Sequence, residues 1–352
     1  MVCIAAFIIL ALVGIFIAFL SIFNRNLGKK YWNTMKKAWH CVFKKVRLQK
    51  CDTNFKEDVK ATLLKKVILK HPKWVKPLGI IIEIASVLIV LITIWSIVIA
   101  IKSLLALWVF GTCNVSQPSQ CGLGAEACSI DQGEPTSLIE SIGRGFGEWG
   151  QIFSAIPDRM KTWVAADYVS SVPIIEYAEN PGSLALDVVD PGCSVCMQSY
   201  KNQHNSDFIK NHDIAYLYYP IPSPDGGYKF KNSGTIVRYL YAPYFYNQNT
   251  DVALKIVQRI FTEENAEGVN WQSVFNNEYD EQQATQTLQS WYTELGGYAA
   301  EQVAEIVEKY VNSEQVTSLM TEISNIVTNE IHAKGIPTTL YDGKKLSGLF
   351  KH

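Results

Sequence analysis

The sequence predicts an α/β domain that carries a large helical insertion and is preceded by two transmembrane helices. Three observations lead there. Near the middle, Leu184-Ala185-Leu186-Asp187-Val188-Val189 runs into Asp190-Pro191-Gly192 and then Cys193-Ser194-Val195-Cys196, the order of a buried strand, a tight turn and a helix start. Later, Gly335-Ile336-Pro337-Thr338-Thr339-Leu340-Tyr341 leads into Asp342-Gly343, a proline before a strand and then a hairpin turn. Two long apolar runs stand near the N-terminus.

Val2 to Phe23 is an uncharged apolar run of 22 residues, and Leu78 to Ile101 is one of 24 interrupted only by Glu83. Each is long enough to cross a bilayer as a helix, which gives spans at 1–23 and 78–111. The net charge of −1 hides an asymmetry: residues 24–77 hold sixteen Lys and Arg against three acids, whereas residues 112–352 hold fifteen against 29. The positive-inside rule therefore predicts a two-pass protein of the cytoplasmic membrane, with the basic loop 24–77 inside and the N-terminus and C-terminal part outside. The loop reads as a topology determinant with affinity for anionic membrane lipid, and not as a nucleic-acid site. Glu83, about one turn from the inner end, is within reach of headgroups or Lys76. Cys41 and Cys51 then face the reducing side, while Cys3, Cys113, Cys121, Cys128, Cys193 and Cys196 lie outside, an even number in an oxidising space.

Residues 112–136 show no helical or strand period and read as an external loop stapled by disulfides. A sharper reading has one of its cysteine pairs pass electrons between Cys193 and a membrane partner. Residues 137–182 form an amphipathic connector, with Ile139, Ile142, Phe146, Trp149, Phe153, Ile156 and Met160 at helical spacing. The connector is expected to pack beneath the domain that follows, the alternative being a helix lying on the membrane. Pro181-Gly182 marks the boundary of the domain 183–352. After Cys196 a helix is expected to about Asn211, then a strand from Ile214 to Tyr219. A helical insertion follows at about 232–334, with Val303, Ile306, Val316, Leu319, Ile323, Ile326, Val327 and Ile331 as core stripes. Tyr216, Tyr218, Tyr219, Tyr239, Tyr241, Tyr244 and Tyr246 read as core packing in preference to a peptide groove.

A cysteine at a helix N-terminus faces free backbone N–H groups and the positive end of the helix dipole, which favour thiolate at Cys193. Cys196 lies on the same helical face and can close a disulfide with it. Even spacing along the strand points Asp187 inward, toward Cys196. Structural zinc sites share the Cys-x-x-Cys spacing, but no second Cys or His pair follows at the distance a tetrahedral site needs.

Together, Asp187, Cys193, Cys196, Pro337 and the apolar Ile336 before it resemble the thioredoxin superfamily, and the long helical stretch between the two pieces is similar to its DsbA-like branch. The resemblance covers 183–231 and 335–352. It implies a thioredoxin-like fold with a helical insertion and a membrane-anchored thiol–disulfide oxidoreductase that forms disulfides in secreted or cell-surface proteins. Cys193 would be the attacking thiolate, Cys196 the resolving thiol and Asp187 the acceptor of its proton. Ile336 and Pro337, if the bond between them is cis, would bind an extended stretch of an unfolded or partly folded secreted protein. A quinone-linked membrane protein would reoxidise the pair, with no metal or organic cofactor required. The alternatives are a disulfide reductase or isomerase, and a non-catalytic scaffold or receptor stapled by Cys193–Cys196. The sequence departs from the family in three respects. Gly192 stands where an aromatic residue is expected, Ser194-Val195 matches neither Gly-Pro nor Pro-His, and the chain reaches His352 too soon for the closing helix of the fold. Part of one sheet face is therefore expected to be covered by something else.

Overall fold

The structure, a computed structural model, describes residues 75–121, 126–135, 137–180 and 182–351. The first expected span, most of the basic loop, and Cys3, Cys41 and Cys51 lie outside them, as does the side chain of Glu83. The chain divides into two compact units, Met1–Ile101 and Lys102–His352. Helix α1 runs over Val75–Phe110. Within it, Leu91–Phe110, 20 residues of mean hydropathy 2.1, is the one stretch among the described residues long and apolar enough to cross a membrane. Ile80, Leu88, Leu91, Trp95 and Leu104 on it are exposed.

Helix α2, Leu138–Met160, starts at Ser137, whose hydroxyl accepts the Glu140 N–H. Its Glu148 accepts from Lys102 Nζ at 2.5 Å and from the Ser116 hydroxyl at 2.6 Å. The expected packing of this connector needs correction. Ile152 and Ala155 are buried with Ala106, Val109, Phe110 and Val115, but Ile139, Phe146, Phe153 and Met160 are exposed. Seven-residue spacing puts those four along one side of a helix, opposite the side that Ile152 and Ala155 occupy.

The second unit is built on a sheet of five strands: β2 (Ile174–Glu176), β3 (Ser183–Val189), β4 (His212–Tyr218), β6 (Thr338–Tyr341) and β7 (Lys344–Ser347). Their spatial order is β2-β4-β3-β6-β7. The pair β3–β4 is parallel and every other neighbouring pair antiparallel. A separate short ladder joins β1 (Cys128–Ser129) to β5 (Gly335–Ile336). Strand β3 is buried from Ala185 to Val189, as a run apolar but for Asp187 at the centre of a sheet covered on both faces requires. Parallel strands need a crossover, and helix α3 (Ser194–His204) supplies it. It stops short of the expected Asn211. Asn205 caps it, the Ser206 hydroxyl takes the Phe208 N–H, and a separate turn of helix spans Phe208–Asn211. Strand β2 was not foreseen within the connector, because three residues are too few to display a period. The Asp342-Gly343 turn is as expected, with φ of 46° and 74° at its two residues, the left-handed pair a two-residue hairpin needs.

The insertion holds helices α4 (Ser233–Asn247), α5 (Asp251–Thr262), α6 (Glu281–Gly296), α7 (Ala300–Ile306) and α8 (Glu314–Asn325) between β4 and β5. The stripe residues Val303, Ile306, Val316, Leu319, Ile323, Ile326, Val327 and Ile331 are all buried, and so are Tyr216, Tyr218, Tyr219, Tyr239 and Tyr241. Phe350 folds back, its ring 4.7 Å from that of Phe208 and 6.0 Å from that of Tyr341, and so helps to cover the sheet at β6. A βαβ unit followed by an antiparallel hairpin, with helices inserted between the two, is a thioredoxin-like fold.

Candidate functional site

The site forms where β3 ends and α3 begins. Cys193 is the N-cap of α3, with extended backbone at φ −83° and ψ 117°. Its Sγ accepts the Cys196 N–H at 3.4 Å and lies 3.9 Å from the Ile336 carbonyl oxygen. The Ile336–Pro337 peptide bond is cis. The structure thus brings Cys193, Cys196, Ile336 and Pro337 together, although the sequence separates the two pairs by about 140 residues.

The pairing of the cysteines is a correction. Cys193 is joined to Cys128, with Cα atoms 6.2 Å apart, and Cys196 is free and buried. The cause is the ladder β1–β5, in which Cys128 stands opposite Ile336, so that the strand lies over Cys193. Neither Cys193 nor Cys196 has measurable exposure, whereas Cys128 is half-buried. A second disulfide among the described residues joins Cys113 to Cys121, eight residues apart, which matches the expectation of a stapled loop.

Asp187 stands in the middle of β3, paired to Tyr216 on one side and Thr339 on the other. Its carboxylate accepts from the Thr339 hydroxyl at 2.8 Å and from the Gln203 amide at 3.3 Å. It is wholly buried, and burial outweighs those two bonds, raising its pKa to about 7. Burial pushes the Cys196 thiol well above its ordinary value. A backbone hydrogen bond at Asp190 opposes the rise, while the charges of Asp190 and Asp187 add to it.

Asp190 is a site residue that sequence reasoning missed. Buried completely, it accepts from the N–H of Gly192 and of Ile221, each at 2.7 Å, and from the Ser233 hydroxyl. Burial raises its pKa to about 6. Its position directly before Pro191-Gly192 was the available signal, since Asp commonly bonds the backbone two residues on. Two amides from the insertion were also missed. Gln272 donates to the carbonyls of Pro191 and Cys193 at 2.7 and 3.1 Å, and Asn276 to that of Gly192 at 2.8 Å. Nothing local in the sequence marks either residue. The absence of an aromatic residue before Cys193 has a steric cause: a Cβ on Gly192 would lie 2.4 Å from Cβ of Phe230, so an aromatic ring reaches that place from another element. Among the described residues no group of His, Cys, Asp and Glu is arranged to hold a metal ion.

No protein-family model and no curated protein matches this chain. Solved structures do. A thioredoxin-like oxidoreductase from Silicibacter pomeroyi DSS-3 is 13% identical over 53% of this chain and 90% of its own, with a TM-score of 0.35. The thiol-disulfide exchange protein alpha-DsbA2 from Wolbachia pipientis is 12% identical over 53% and 85%, with a TM-score of 0.37. The catalytic domain of Proteus mirabilis ScsC is 10% identical over 53% and 87%, also at 0.37. Likeness at this level assigns no residue a role in this chain.

Proposed function

We propose that this chain is a membrane-anchored thiol–disulfide oxidoreductase that forms disulfides in secreted or cell-surface proteins. The observation that carries the reading is the arrangement at the start of α3: Cys193 at the N-cap, Cys196 one turn on, and the buried carboxyl of Asp187 behind them. A client thiolate attacks Sγ of Cys193 in the Cys193–Cys196 disulfide and Cys196 leaves; the client's second thiolate then displaces Cys193, which the free N–H groups of the helix start favour as thiolate. Cys196 is the resolving thiol. Its proton passes to Asp187, whose raised pKa suits a base working near neutral pH. Ile336 offers backbone groups to an extended client, next to a proline that has no N–H of its own. The two-pass topology, contact with membrane lipid and reoxidation by a quinone-linked membrane protein belong to the same proposal.

Trapping tests the thiol roles. In a Cys128→Ser background, which leaves Cys193 uncovered, Cys196→Ala should accumulate mixed disulfides with disulfide-bonded secreted proteins, and Cys193→Ala should form none. Equal trapping by both variants, or by neither, would refute the assignment. Direction is read from the potential of the Cys193–Cys196 couple: about −120 mV favours donation and about −270 mV favours reduction. A second reading draws on the cover over Cys193. If the cysteines resist glutathione altogether, the domain is a scaffold with structural disulfides.

A further inference from the structure

We propose that strand β1 is a tethered internal client: Cys128 fills the place of a client cysteine on Cys193, and Cys196 exchanges with it to open the site. The inference rests on the thiol-exchange reading of Cys193 and Cys196. Three independent features of the molecule point to it. Cys128 is covalently bound to Cys193. Its backbone is seated as an added antiparallel strand on β5, with Cys128 opposite Ile336, Ser129 opposite Gly335, and the Ile130 N–H donating to the Lys334 carbonyl at 3.1 Å. This is the edge-strand mode by which extended peptides are recognised. Third, the sulfur that would displace it is present and unpaired: Cys196 is free, one helical turn from Cys193.

The strand is also held lightly. The ladder is two residues long, against seven for β3–β4, and other bonds among the described residues fasten the segment around it. They include Lys229 Nζ to the Ser129 carbonyl at 2.9 Å and the Leu349 N–H to the Glu126 carbonyl at 2.8 Å. A cavity of about 310 Å³ borders β1, lined by Cys121, Cys128, Lys229 and Lys334 among others, and gives a released strand room to move.

The exchange balances without an outside oxidant. Cys196 loses its proton and its thiolate attacks Sγ of Cys193. The Cys193–Cys196 bond forms, the Cys128–Cys193 bond breaks, and Cys128 leaves as a thiolate that takes up a proton. One disulfide is present before and after. The closed isomer keeps Cys193 and Cys196 themselves from small thiols, since neither is exposed. The open isomer presents Cys193–Cys196 and a vacant edge at β5 to a true client.

The test uses the full chain in detergent micelles, quenched in acid, alkylated with N-ethylmaleimide and mapped by mass spectrometry. The wild type should yield a Cys128–Cys193 peptide with Cys196 alkylated, and a smaller population with Cys193–Cys196 and alkylated Cys128. Cys128→Ser should oxidise a reduced dithiol peptide at least about tenfold faster, because a site open less than a tenth of the time has its apparent affinity reduced by that fraction. Ile130→Pro, which removes the N–H bonded to Lys334 and leaves every sulfur in place, should raise the open population and the rate together. Cys196→Ser should stay closed. The proposal is overturned if Cys128 is never found linked to Cys193, or if Cys128→Ser and Ile130→Pro oxidise the peptide at the wild-type rate. That second result leaves thiol exchange itself standing. If neither the wild type nor Cys128→Ser oxidises the peptide, the oxidoreductase reading fails and takes the internal client with it.

Discussion

Asp187→Asn is the perturbation whose size follows most directly from the structure. The carboxyl is buried among Thr339, Gln203 and the strands beside β3, and burial raises its pKa from 3.8 to about 7. From about pH 4 to about pH 7 the unfolded chain has lost this proton while the folded chain keeps it, so stability falls as pH rises through that window. Below it the carboxyl is neutral in both states and contributes no penalty. Above it the penalty is complete, roughly 4 kcal/mol at 1.36 kcal/mol for each pKa unit. An amide of the same shape does not ionise. It keeps the Thr339 hydroxyl as donor, and Gln203 can turn so that its Oε1, buried with no partner among the described residues, accepts from the new amide. Allowing about 1–2 kcal/mol for exchanging charged for neutral hydrogen bonds, the variant should be more stable by about 2–3 kcal/mol at pH 8 and gain little at pH 4. Urea unfolding of the oxidised full chain, followed by tryptophan fluorescence at both pH values, measures this. The difference from wild type cancels other groups that titrate in the window, Asp190 among them. A variant no more stable than wild type at pH 8, or equally stabilised at both, refutes the argument. The same substitution should slow resolution by Cys196 near neutral pH, a defect that shrinks as pH rises and the thiol ionises unaided.

Other outcomes are expected. Gly192→Ala should destabilise the chain by about 1–3 kcal/mol, because the added methyl meets Cβ of Phe230 at 2.4 Å, and pairing it with Phe230→Gly, which removes that Cβ, should show a favourable coupling between the two sites in a denaturation cycle. Asp190→Ala strips an acceptor from two backbone N–H groups and the Ser233 hydroxyl. At about 1–3 kcal/mol for each buried donor left unpaired, the domain should lose cooperative unfolding. Gln272→Ala and Asn276→Ala remove the amides that hold the Pro191–Cys193 carbonyls, and faster alkylation of Cys193 after reduction would register the loosened turn. For the topology, maleimide applied outside intact cells should miss Cys41 and Cys51 and reach Cys193 after mild reduction; labelling of residues 24–77 from outside would overturn the orientation.

Local chemistry was legible in the sequence. A β3 that is apolar from Leu184 to Val189 but for Asp187, Pro191-Gly192, two cysteines three apart, Asp342-Gly343 and the helical stripes each act within one turn or one strand, where side-chain pattern and backbone preference decide the structure. Thus the strand, the start of α3, the hairpin and the buried insertion stand where they were expected, and Asp187 lies inward as its even spacing required. Tertiary structure decided what depends on contacts between distant segments. The partner of Cys193 was one such choice, because a disulfide follows which sulfur the folded backbone delivers within reach. That delivery depends on a two-residue ladder between β1 and β5, too short to leave any period in the sequence. Likewise Gln272, Asn276 and Phe230 reach the Pro191–Cys193 turn only because the insertion folds back over it. The exposed line of Ile139, Phe146, Phe153 and Met160 on α2 makes the same point in reverse. A helical stripe tells which residues share a face, and only the packing of neighbours decides whether that face is covered.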